Sequence, residues 1–459
     1  MADATTELPA GAGRLPFVGR LAEAARDTAL GYRQWLEAEL DSARAGRRAV
    51  AVTARHALLV ASSLPPRFDG GVFRPLSWLK YAGENGWRLS AVTRAPDGEI
   101  TEAGRQLAAA IPAGVRILAA EPPALRPSHK LFQQIDGDFL QALALYRAAA
   151  RGFAEDPPSV VVATGPTFAS FAAGLLLARR FAARLVLDYR DEWSRNPFGF
   201  VRRGRDDRRW ERRCLARADL VQFTTRGQLR HNSDAFPGLI GAKGAVLLNG
   251  WEPDPAAEAA EPRGDGRLVL AFSGVLGTMA SPQPFLDDLA AVLARRADLG
   301  QRLRLRFIGR RLPWAERLLE RFPHPQLIER IEQRPRAEAD RLIRESDVLL
   351  LMTDDDMARY LPGKVFEYLA TGRPILAHGA DGEAPALVRQ LGAGRHVAAG
   401  APVALERALD AMIERPAEAW NGAVRRDWAA THTRRQMARV FFGRLSGLVE
   451  AAAAREAGR

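Results

Sequence analysis

One short stretch of the sequence combines a basic and an acidic side chain at a spacing that suits a polar, anionic ligand. Pro362-Gly363 is typical of a helix start, and Lys364 and Glu367 then lie three residues apart on one face of it. Here an ammonium group can meet phosphate while a carboxylate accepts hydrogen bonds from sugar hydroxyls. A surface ion pair, worth about 0–1 kcal/mol, is the alternative. Only four of the 66 basic residues are lysines, which favours a functional Lys364.

Two other groups of residues follow predicted strands in the first half of the chain. Gly70 and Gly71 precede a helical pattern, where their amides and the helix end can approach a phosphate; an ordinary tight turn explains them equally well. Asp188, Arg190 and Asp191 follow a later strand. A carboxylate there can orient or deprotonate a hydroxyl, and Asp191 is our catalytic candidate. An Asp–Arg pair that fixes the loop is the alternative.

Several classes of site have no support in the sequence. There is neither a G-x-x-x-x-G-K-[ST] phosphate loop nor a G-x-G-x-x-G dinucleotide motif. Cys214 is the only cysteine, and the seven histidines form no H-x-H or H-E-x-x-H pair, so we predict no metal and no cofactor. The net charge of +12 comes without a nucleic-acid recognition motif, so we predict no nucleic-acid partner.

The elements that must position these residues alternate between short apolar strands and helices, which predicts an α/β fold with parallel, doubly wound sheets. Strands are predicted at Ala57–Ala61, Leu89–Thr93, Val160–Ala163, Leu185–Asp188, Leu220–Phe223, Ala245–Leu248, Leu268–Phe272, Leu303–Ile308, Val348–Met352 and Pro374–Ala377. Helices are predicted at Leu21–Ala45, Phe73–Glu84, Phe168–Arg180, Leu286–Arg296, Glu338–Arg344, from Lys364 to Ala370, and over 425–454.

The pattern divides the chain into two halves with a cleft between them. We predict a helical extension (1–50), a Rossmann-like domain (51–250), a linker rich in Pro, Gly and Ala (251–267), a second Rossmann-like domain (268–424) and a closing helix (425–459). Residues 159–178 carry no charge and have the length of a membrane span, but Gly165-Pro166 interrupts them. We therefore predict strand, turn and helix there, and no signal peptide at the N-terminus.

The motifs together resemble a known family. The sequence PGKVFEYLATGRPIL (362–376) is similar to the donor-binding helix of GT-B glycosyltransferases, specifically family 4. The other motifs, in the family's order, are SSLPPRFDGG, VVVATGPTFAS, LVLDYRDEW, LLNGWEPD and FSGVLG. The resemblance implies two Rossmann-like domains, the first binding the acceptor and the second a nucleotide sugar, with metal-independent transfer that retains anomeric configuration. It also implies that Gly70, Gly71 and Lys364 approach the donor diphosphate and that Glu367 holds the ribose.

The sequence departs from the family at two places. Arg359 stands where the family usually has a glutamate, and one of the nearby residues Asp354–Asp356 is a candidate replacement. These aspartates resemble the metal-binding D-x-D of another glycosyltransferase fold, but we favour a solvated loop or a contact with the donor sugar over a metal site. The turn at Gly274 lacks the family's usual basic pair. We assign Gly274 to the donor site nonetheless. Arg310 and Arg311, which follow the predicted strand at Leu303–Ile308, are the candidate replacement cations, with solvated surface arginines as the alternative.

The resemblance leads to a functional hypothesis with rivals. The hypothesis is a cytoplasmic enzyme, peripheral at the inner face of the membrane, whose acceptor is a lipid-linked glycan or surface-polysaccharide intermediate. An anionic membrane would attract the arginine-rich segment 202–213, for which a salt-bridged solvent helix is equally plausible. The rivals are a nucleotide-sugar epimerase on the same fold and a non-catalytic scaffold, which Arg359 keeps open.

Overall fold

The structure, a computed structural model, contains two parallel β-sheets. It describes residues 17–48, 54–96, 98–121, 123–199, 201–253, 267–277, 281–414, 420 and 422–457. The predicted linker falls mostly outside this range, as does the first part of the predicted extension.

The first sheet has seven strands in the order β3-β2-β1-β4-β5-β6-β7. Its strands are β1 His56–Ala61, β2 Arg88–Arg94, β3 Ile117–Ala120, β4 Val160–Gly165, β5 Arg184–Tyr189, β6 Leu220–Phe223 and β7 Gly244–Val246. The helices of this half are α1 Phe17–Arg48, α2 Phe73–Tyr81, α3 Glu102–Ala109, α4 Phe139–Gly152, α5 Ala169–Arg180, α6 Asp207–Arg217 and α7 Arg226–Ala235. The strand order reverses between β1 and β4, where doubly wound sheets open a crevice for ligands.

The second sheet has six strands in the order β10-β9-β8-β11-β12-β13, with its reversal between β8 and β11. Its strands are β8 Leu268–Ser273, β9 Leu303–Ile308, β10 Ile328–Ile331, β11 Val348–Thr353, β12 Ile375–Gly379 and β13 Gly394–Val397. The remaining helices are α8 Gln283–Arg295, α9 Leu299–Arg302, α10 Pro313–Arg321, α11 Arg336–Arg344, α12 Gly363–Thr371, α13 Glu383–Gln390, α14 Pro402–Glu414, α15 Gly422–Thr431 and α16 Arg434–Ala457. The prediction of an α/β fold with doubly wound parallel sheets is confirmed.

The uncharged segment is divided as expected into a strand, β4, and a helix, α5, and both are buried in the first half. In the described parts of the chain, none of the helices has both the length and the apolarity needed to span a bilayer. The region 425–454 is helical as predicted, but it is divided into two helices, because α15 ends at Thr431 and α16 begins at Arg434. Between them, Thr433 forms a parallel bridge with Trp251.

The last helix, α16, packs on the first half of the molecule. Its Phe441 stacks on Trp78 of α2 with ring centroids 4.2 Å apart, and Phe442 contacts Trp87. Towards the other end of the chain, α1 also packs on the first half: its Trp35 contacts Phe139 of α4 with ring centroids 6.1 Å apart.

The arginine-rich segment 202–213 makes many contacts within the protein. Arg213 pairs with Glu39 of α1 at 2.7 Å, and the guanidinium of Arg205 donates to the carbonyls of Lys130 and Phe132. These contacts favour the intramolecular reading of the segment over attraction to an anionic membrane.

A buried ion pair lies where the strand order of the first sheet reverses. Arg74 of α2 donates to both carboxylate oxygens of Asp188 at the end of β5, at 2.7 and 3.1 Å. Thr164 Oγ1 donates to the same carboxylate at 2.9 Å, and Arg74 also donates to the carbonyl of Leu248. The Asp188 side chain is fully buried, so its charge depends on these partners.

Candidate active site

A cavity of 1510 Å³ lies between the two halves, at the carboxyl ends of strands from both sheets. Such a position is where doubly wound folds place their ligands. Five of the seven residues predicted from the sequence line it: Gly70, Gly71, Asp191, Lys364 and Glu367. The assignment of roles to these residues remains a prediction, but the fold does bring them to one cavity.

Lys364 lies in the first turn of α12 and reaches the end of β8. Its ammonium Nζ is 3.8 Å from the centroid of the Phe272 ring, a cation–π contact. Burial lowers the pKa of Lys364 to about 8, although the charge of Glu367 opposes this shift. A protein cation that is partly stripped of water in this way gains most from an anionic ligand.

The lowered pKa predicts a pH dependence for nucleotide binding. A bound diphosphate favours the charged ammonium, so it raises the pKa of Lys364 in the complex. Affinity for a nucleoside diphosphate should therefore be constant below pH 8 and fall by up to about tenfold per pH unit above it, since the free protein then loses the proton that the complex retains. Calorimetric titration with UDP or GDP between pH 7 and 9 measures this slope.

The matched variant for this experiment is Lys364→Arg. A guanidinium stays protonated throughout the range, so the variant should lose the slope whatever its absolute affinity. Equal slopes in the wild-type protein and the variant would contradict the assignment of the titrating group to Lys364.

Helix α12 is held in its second turn and at its carboxyl end. In the second turn, the hydroxyl of Tyr368 accepts a hydrogen bond from the backbone N–H of Ser273 at 2.9 Å, which ties α12 to the end of β8. At its carboxyl end, the buried guanidinium of Arg425 donates to the carbonyls of Gly372 and Arg373. The helix therefore presents Lys364 and Glu367 to the cavity from a fixed support.

The glycine pair lies in a loop that Arg190 holds. The guanidinium of Arg190 donates to the carbonyls of Gly71, Gly165 and Pro166. A Cβ at Gly71 would lie 2.7 Å from Arg190 Nη1, so a side chain cannot be added there without displacing the arginine. A Cβ at Gly70 would meet no atom within 4 Å, so the space beside its backbone is open.

The two candidate aspartates have different surroundings. Asp188 is bound to Arg74 and Thr164, so it has a structural partner set. Asp191 lines the cavity; burial raises its pKa, and Arg190 opposes that shift. Arg190 fixes the loop through its contacts with backbone carbonyls, and its charge also acts on Asp191. Asp191 remains our candidate for the catalytic carboxylate because it lines the cavity.

Gly274 and Arg310 are placed differently from each other. Gly274 has a φ of 125°, and a Cβ there would lie 3.1 Å from Lys364 Nζ, so this glycine leaves space for the lysine. The side chain of Arg310 is exposed and is not among the groups that line the cavity. Arg311 is also directed elsewhere, to Glu316 at 2.5 Å and to Glu332. A replacement cation would have to line the cavity, and neither arginine does so. The prediction of Arg310 for the donor site is therefore not supported by its position.

Arg359 joins the two halves of the molecule. Its guanidinium donates to both carboxylate oxygens of Glu192, at 2.8 and 3.2 Å, and Tyr360 Oη donates to Glu192 Oε2 at 3.1 Å. Glu192 is fully buried, and it also contacts His231 at 2.6 Å and Asn232 at 3.1 Å.

Two further contacts lie beside this ion pair. Glu383 accepts from the backbone N–H of Gly227 at 2.5 Å, and Phe198 of the first half packs on Tyr360 of the second, with ring centroids 5.0 Å apart. Glu192 was not among the residues predicted from the sequence. Its partner Arg359 is 167 positions away, and no local pattern connects the two.

The aspartates of the loop before α12 have a local role. Asp354 Oδ1 accepts from the backbone N–H of Met357 at 3.1 Å and so caps the short 3₁₀ turn Asp355–Met357. Burial raises the pKa of Asp354. None of the three is among the residues that line the cavity.

The architecture is that of the GT-B fold, with two doubly wound sheets on either side of a cavity. The chain is similar to Anabaena Alr3699/HepE in complex with UDP, at 16% identity and a TM-score of 0.61, over 86% of this chain and 100% of that one. It is also similar to sucrose-phosphate synthase from Thermosynechococcus elongatus, at 15% identity and a TM-score of 0.61, over 86% and 99%. A glycosyltransferase from Rickettsia africae gives 12% identity and the same TM-score, over 86% and 98%. These likenesses establish the two-domain GT-B fold.

The family comparison agrees with the fold. Residues 69–236 match the sequence model of the glycosyl transferase 4-like domain. No curated protein matches the sequence. The predicted GT-B fold is thus confirmed for both halves, and the resemblance to family 4 is supported by the domain match over residues 69–236.

Proposed function

We propose that the protein is a retaining glycosyltransferase that uses a nucleotide-diphosphate sugar. The bond from the sugar's anomeric carbon to the diphosphate oxygen breaks, and a bond from that carbon to an acceptor hydroxyl oxygen forms. The hydroxyl proton leaves to a base, and the nucleoside diphosphate departs. The observation that carries the proposal is the position of the Lys364 ammonium, which lies in the cavity at the carboxyl end of β8. An ammonium there can stabilise the negative charge that develops on the leaving diphosphate.

The residues of the cavity also support the finer parts of the proposal. Lys364, together with the open backbone at Gly70, supplies positive charge and amide dipoles for a diphosphate, which is why we propose a metal-independent reaction. Glu367 is assigned to the ribose and Asp191 to the acceptor hydroxyl. The cavity is large enough for a donor and an acceptor together.

The solved neighbours suggest the substrates. Alr3699/HepE is described in complex with UDP and with UDP-glucose, and WaaB as a lipopolysaccharide outer core galactosyltransferase. By analogy we propose a nucleotide-sugar donor and a lipid-linked or surface-glycan acceptor, handled at the inner face of the cytoplasmic membrane. A binding or scaffold subunit is the second candidate, because Arg359 joins Glu192 and leaves no carboxylate at that position.

Nucleotide binding tests the proposal first. Millimolar UDP, GDP and CMP are added to the wild-type protein and its thermal unfolding is followed. A nucleoside diphosphate at 100 times its Kd should stabilise the protein by about 2.7 kcal/mol. Lys364→Ala and Glu367→Ala should each lose most of this stabilisation, and Lys130→Ala, an exposed lysine outside the cavity, should keep it.

The outcomes separate the candidates. If none of the nucleotides stabilises the wild-type protein, the glycosyltransferase proposal fails. If stabilisation survives both Lys364→Ala and Glu367→Ala, the assignment of the donor site is wrong. Release of nucleoside diphosphate from a nucleotide sugar, with transfer onto a lipid extract, then distinguishes an enzyme from a scaffold that only binds.

A further inference from the structure

The ion pair between Glu192 and Arg359 lies beside candidate residues of both halves of the molecule. In the first half, Glu192 directly follows Asp191 in the chain. In the second half, Arg359 precedes Lys364, and the residues between them, 360–363, all line the cavity. We call Glu192 and Arg359 the boundary pair. It connects the loop that carries Asp191 with the segment that leads into α12 and Lys364.

The carboxylate of Glu192 is held from both sides. From the second half, Arg359 donates to both of its oxygens, at 2.8 and 3.2 Å, and the Tyr360 hydroxyl donates at 3.1 Å. From the first half, Asn232 of α7 donates at 3.1 Å, and the ring of His231 lies 2.6 Å away. A guanidinium that contacts both oxygens of a carboxylate fixes direction as well as distance, so the pair restrains the two segments against sliding past each other.

Helix α7 supports both members of the boundary pair. On one side, Gln228 Nε2 donates to the carbonyl of Arg190 at 3.2 Å, which ties the loop before Glu192 to the helix. On the other side, the hydroxyl of Thr225, the residue before α7, donates to the carbonyl of Arg359 at 2.5 Å. The approach is close, because a Cβ at Gly227 would lie 3.3 Å from the Cα of Arg359. The start of α7 therefore lies directly against the segment that leads into α12.

We propose that the boundary pair positions the two halves of the active site by setting the distance between Asp191 and Lys364. The proposal rests on the proposed function, which assigns Asp191 to the acceptor hydroxyl and Lys364 to the leaving diphosphate. Glu192 and Arg359 act through these neighbours, so they are positioning residues. The attacking oxygen and the bond that breaks are then held by different halves, and a displacement of about 1 Å between reacting groups can lower a rate by about 10²-fold.

Hydrogen exchange of the full-length protein tests the coupling between the halves without a substrate. The reporters are the backbone N–H of Ser194 in the first half and that of Tyr360 in the second, which donate hydrogen bonds within their own halves at 3.1 and 2.8 Å. Arg359→Met should speed exchange at Ser194, and Glu192→Gln should speed exchange at Tyr360, each by at least about fivefold, because each loosens the opposite half. A merely local role would confine each effect to the half that carries the substitution.

Transfer rates test the catalytic consequence. UDP-glucose, UDP-galactose and GDP-mannose are offered with a lipid extract as acceptor, and binding of UDP and GDP is measured on the same preparations. With the donor that the wild-type protein uses, Glu192→Gln and Arg359→Met should each lower the initial rate by about 10- to 100-fold. The Kd of the nucleoside diphosphate should change by less than about threefold, because donor binding depends mainly on Lys364 and Glu367 of the second half.

Two further variants distinguish loss of this contact from general damage. Glu192→Gln/Arg359→Met should be no slower than the slower single variant, since both substitutions break the same contact. Arg359→Lys keeps the charge but not the paired geometry, so it should recover part of the rate.

Glu329→Gln is the matched control. Glu329 pairs at 2.9 Å with Arg306, whose side chain is 2% exposed, and both residues belong to the second half and are not among those that line the cavity. This variant also removes the carboxylate partner of a buried arginine. It should lose stability but keep the wild-type transfer rate and the wild-type exchange at both reporters.

Failure of the proposed function and failure of the positioning role give different results. If the wild-type protein transfers sugar from none of these donors, the proposed function fails together with the catalytic part of this proposal, and the exchange rates still decide whether the pair couples the halves. The positioning role is overturned if exchange changes only in the half that carries the substitution, if the single variants transfer as fast as the wild-type protein, or if their rate losses multiply in the double variant.

Discussion

Asp191→Asn is expected to lower the rate of sugar transfer by about 10²- to 10⁴-fold and to leave nucleotide binding unchanged. Asp191 lines the cavity between the halves and follows β5, next to the loop that Arg190 holds. Burial raises its pKa towards neutrality, which makes the carboxylate a stronger base for an acceptor hydroxyl. Asparagine keeps the size of the side chain and removes its basicity.

Two measurements on the same preparations establish the effect. Initial rates of nucleoside-diphosphate release, with acceptor present, report transfer, and thermal stabilisation by the nucleotide reports the donor site. Asp287→Asn is the matched control, because Asp287 is exposed on α8 and outside the cavity. A rate for Asp191→Asn within a factor of a few of the control would show that another group carries the proton.

Arg74→Met is expected to reduce the free energy of unfolding by about 3–5 kcal/mol. The substitution removes the guanidinium that donates twice to Asp188. The carboxylate then stays buried with the hydrogen bond from Thr164 but without its ion-pair partner. An uncompensated charge in the interior is more costly than loss of the pair as a whole. Denaturant unfolding, followed by a signal from the first half of the molecule, measures the change.

The double variant Arg74→Met/Asp188→Leu shows whether charge is the cause. Removing both charges should recover much of the loss, because neither group is then buried without its partner. Arg88→Met is the control: Arg88 forms a surface pair with Asp156, and both side chains are more than 40% exposed, so about 0–1 kcal/mol is expected. Equal losses for Arg74→Met and Arg88→Met would contradict the argument.

The central strands of both sheets could be predicted from the sequence, and most of the edge strands could not. Central strands such as β1 and β4 are buried along their whole length, which requires the apolar runs from which they were predicted. The strands that were not predicted, β3, β10 and β13, lie at sheet edges and are only partly buried. Strands β10 and β13 mix charged with apolar residues, so their sequences resemble loops, whereas β3 is apolar but only four residues long. Strand β7, also at an edge, begins and ends earlier than expected.

The residues of the candidate site also differ in whether the sequence could predict them. Lys364 and Glu367 could be found because three positions along a helix fix their proximity. Contacts between distant segments left no such signal: Arg74 with Asp188, and Glu192 with Arg359. Arg310 illustrates the opposite error, because its place after a strand suggested the cavity, whereas its side chain is exposed outside it.

The Arg359–Glu192 pair has a consequence for how this sequence can change over time. A glutamate at 359, as the family usually has, would bring a second carboxylate to Glu192, which is fully buried. If only Glu192 were replaced by a neutral residue, Arg359 would lose its ion pair with that carboxylate at the boundary of the two halves. The two positions are therefore epistatic: each substitution is harmful or harmless according to the residue already present at the other. A lineage that acquired glutamate at 359 would have to replace Glu192 first or at the same step.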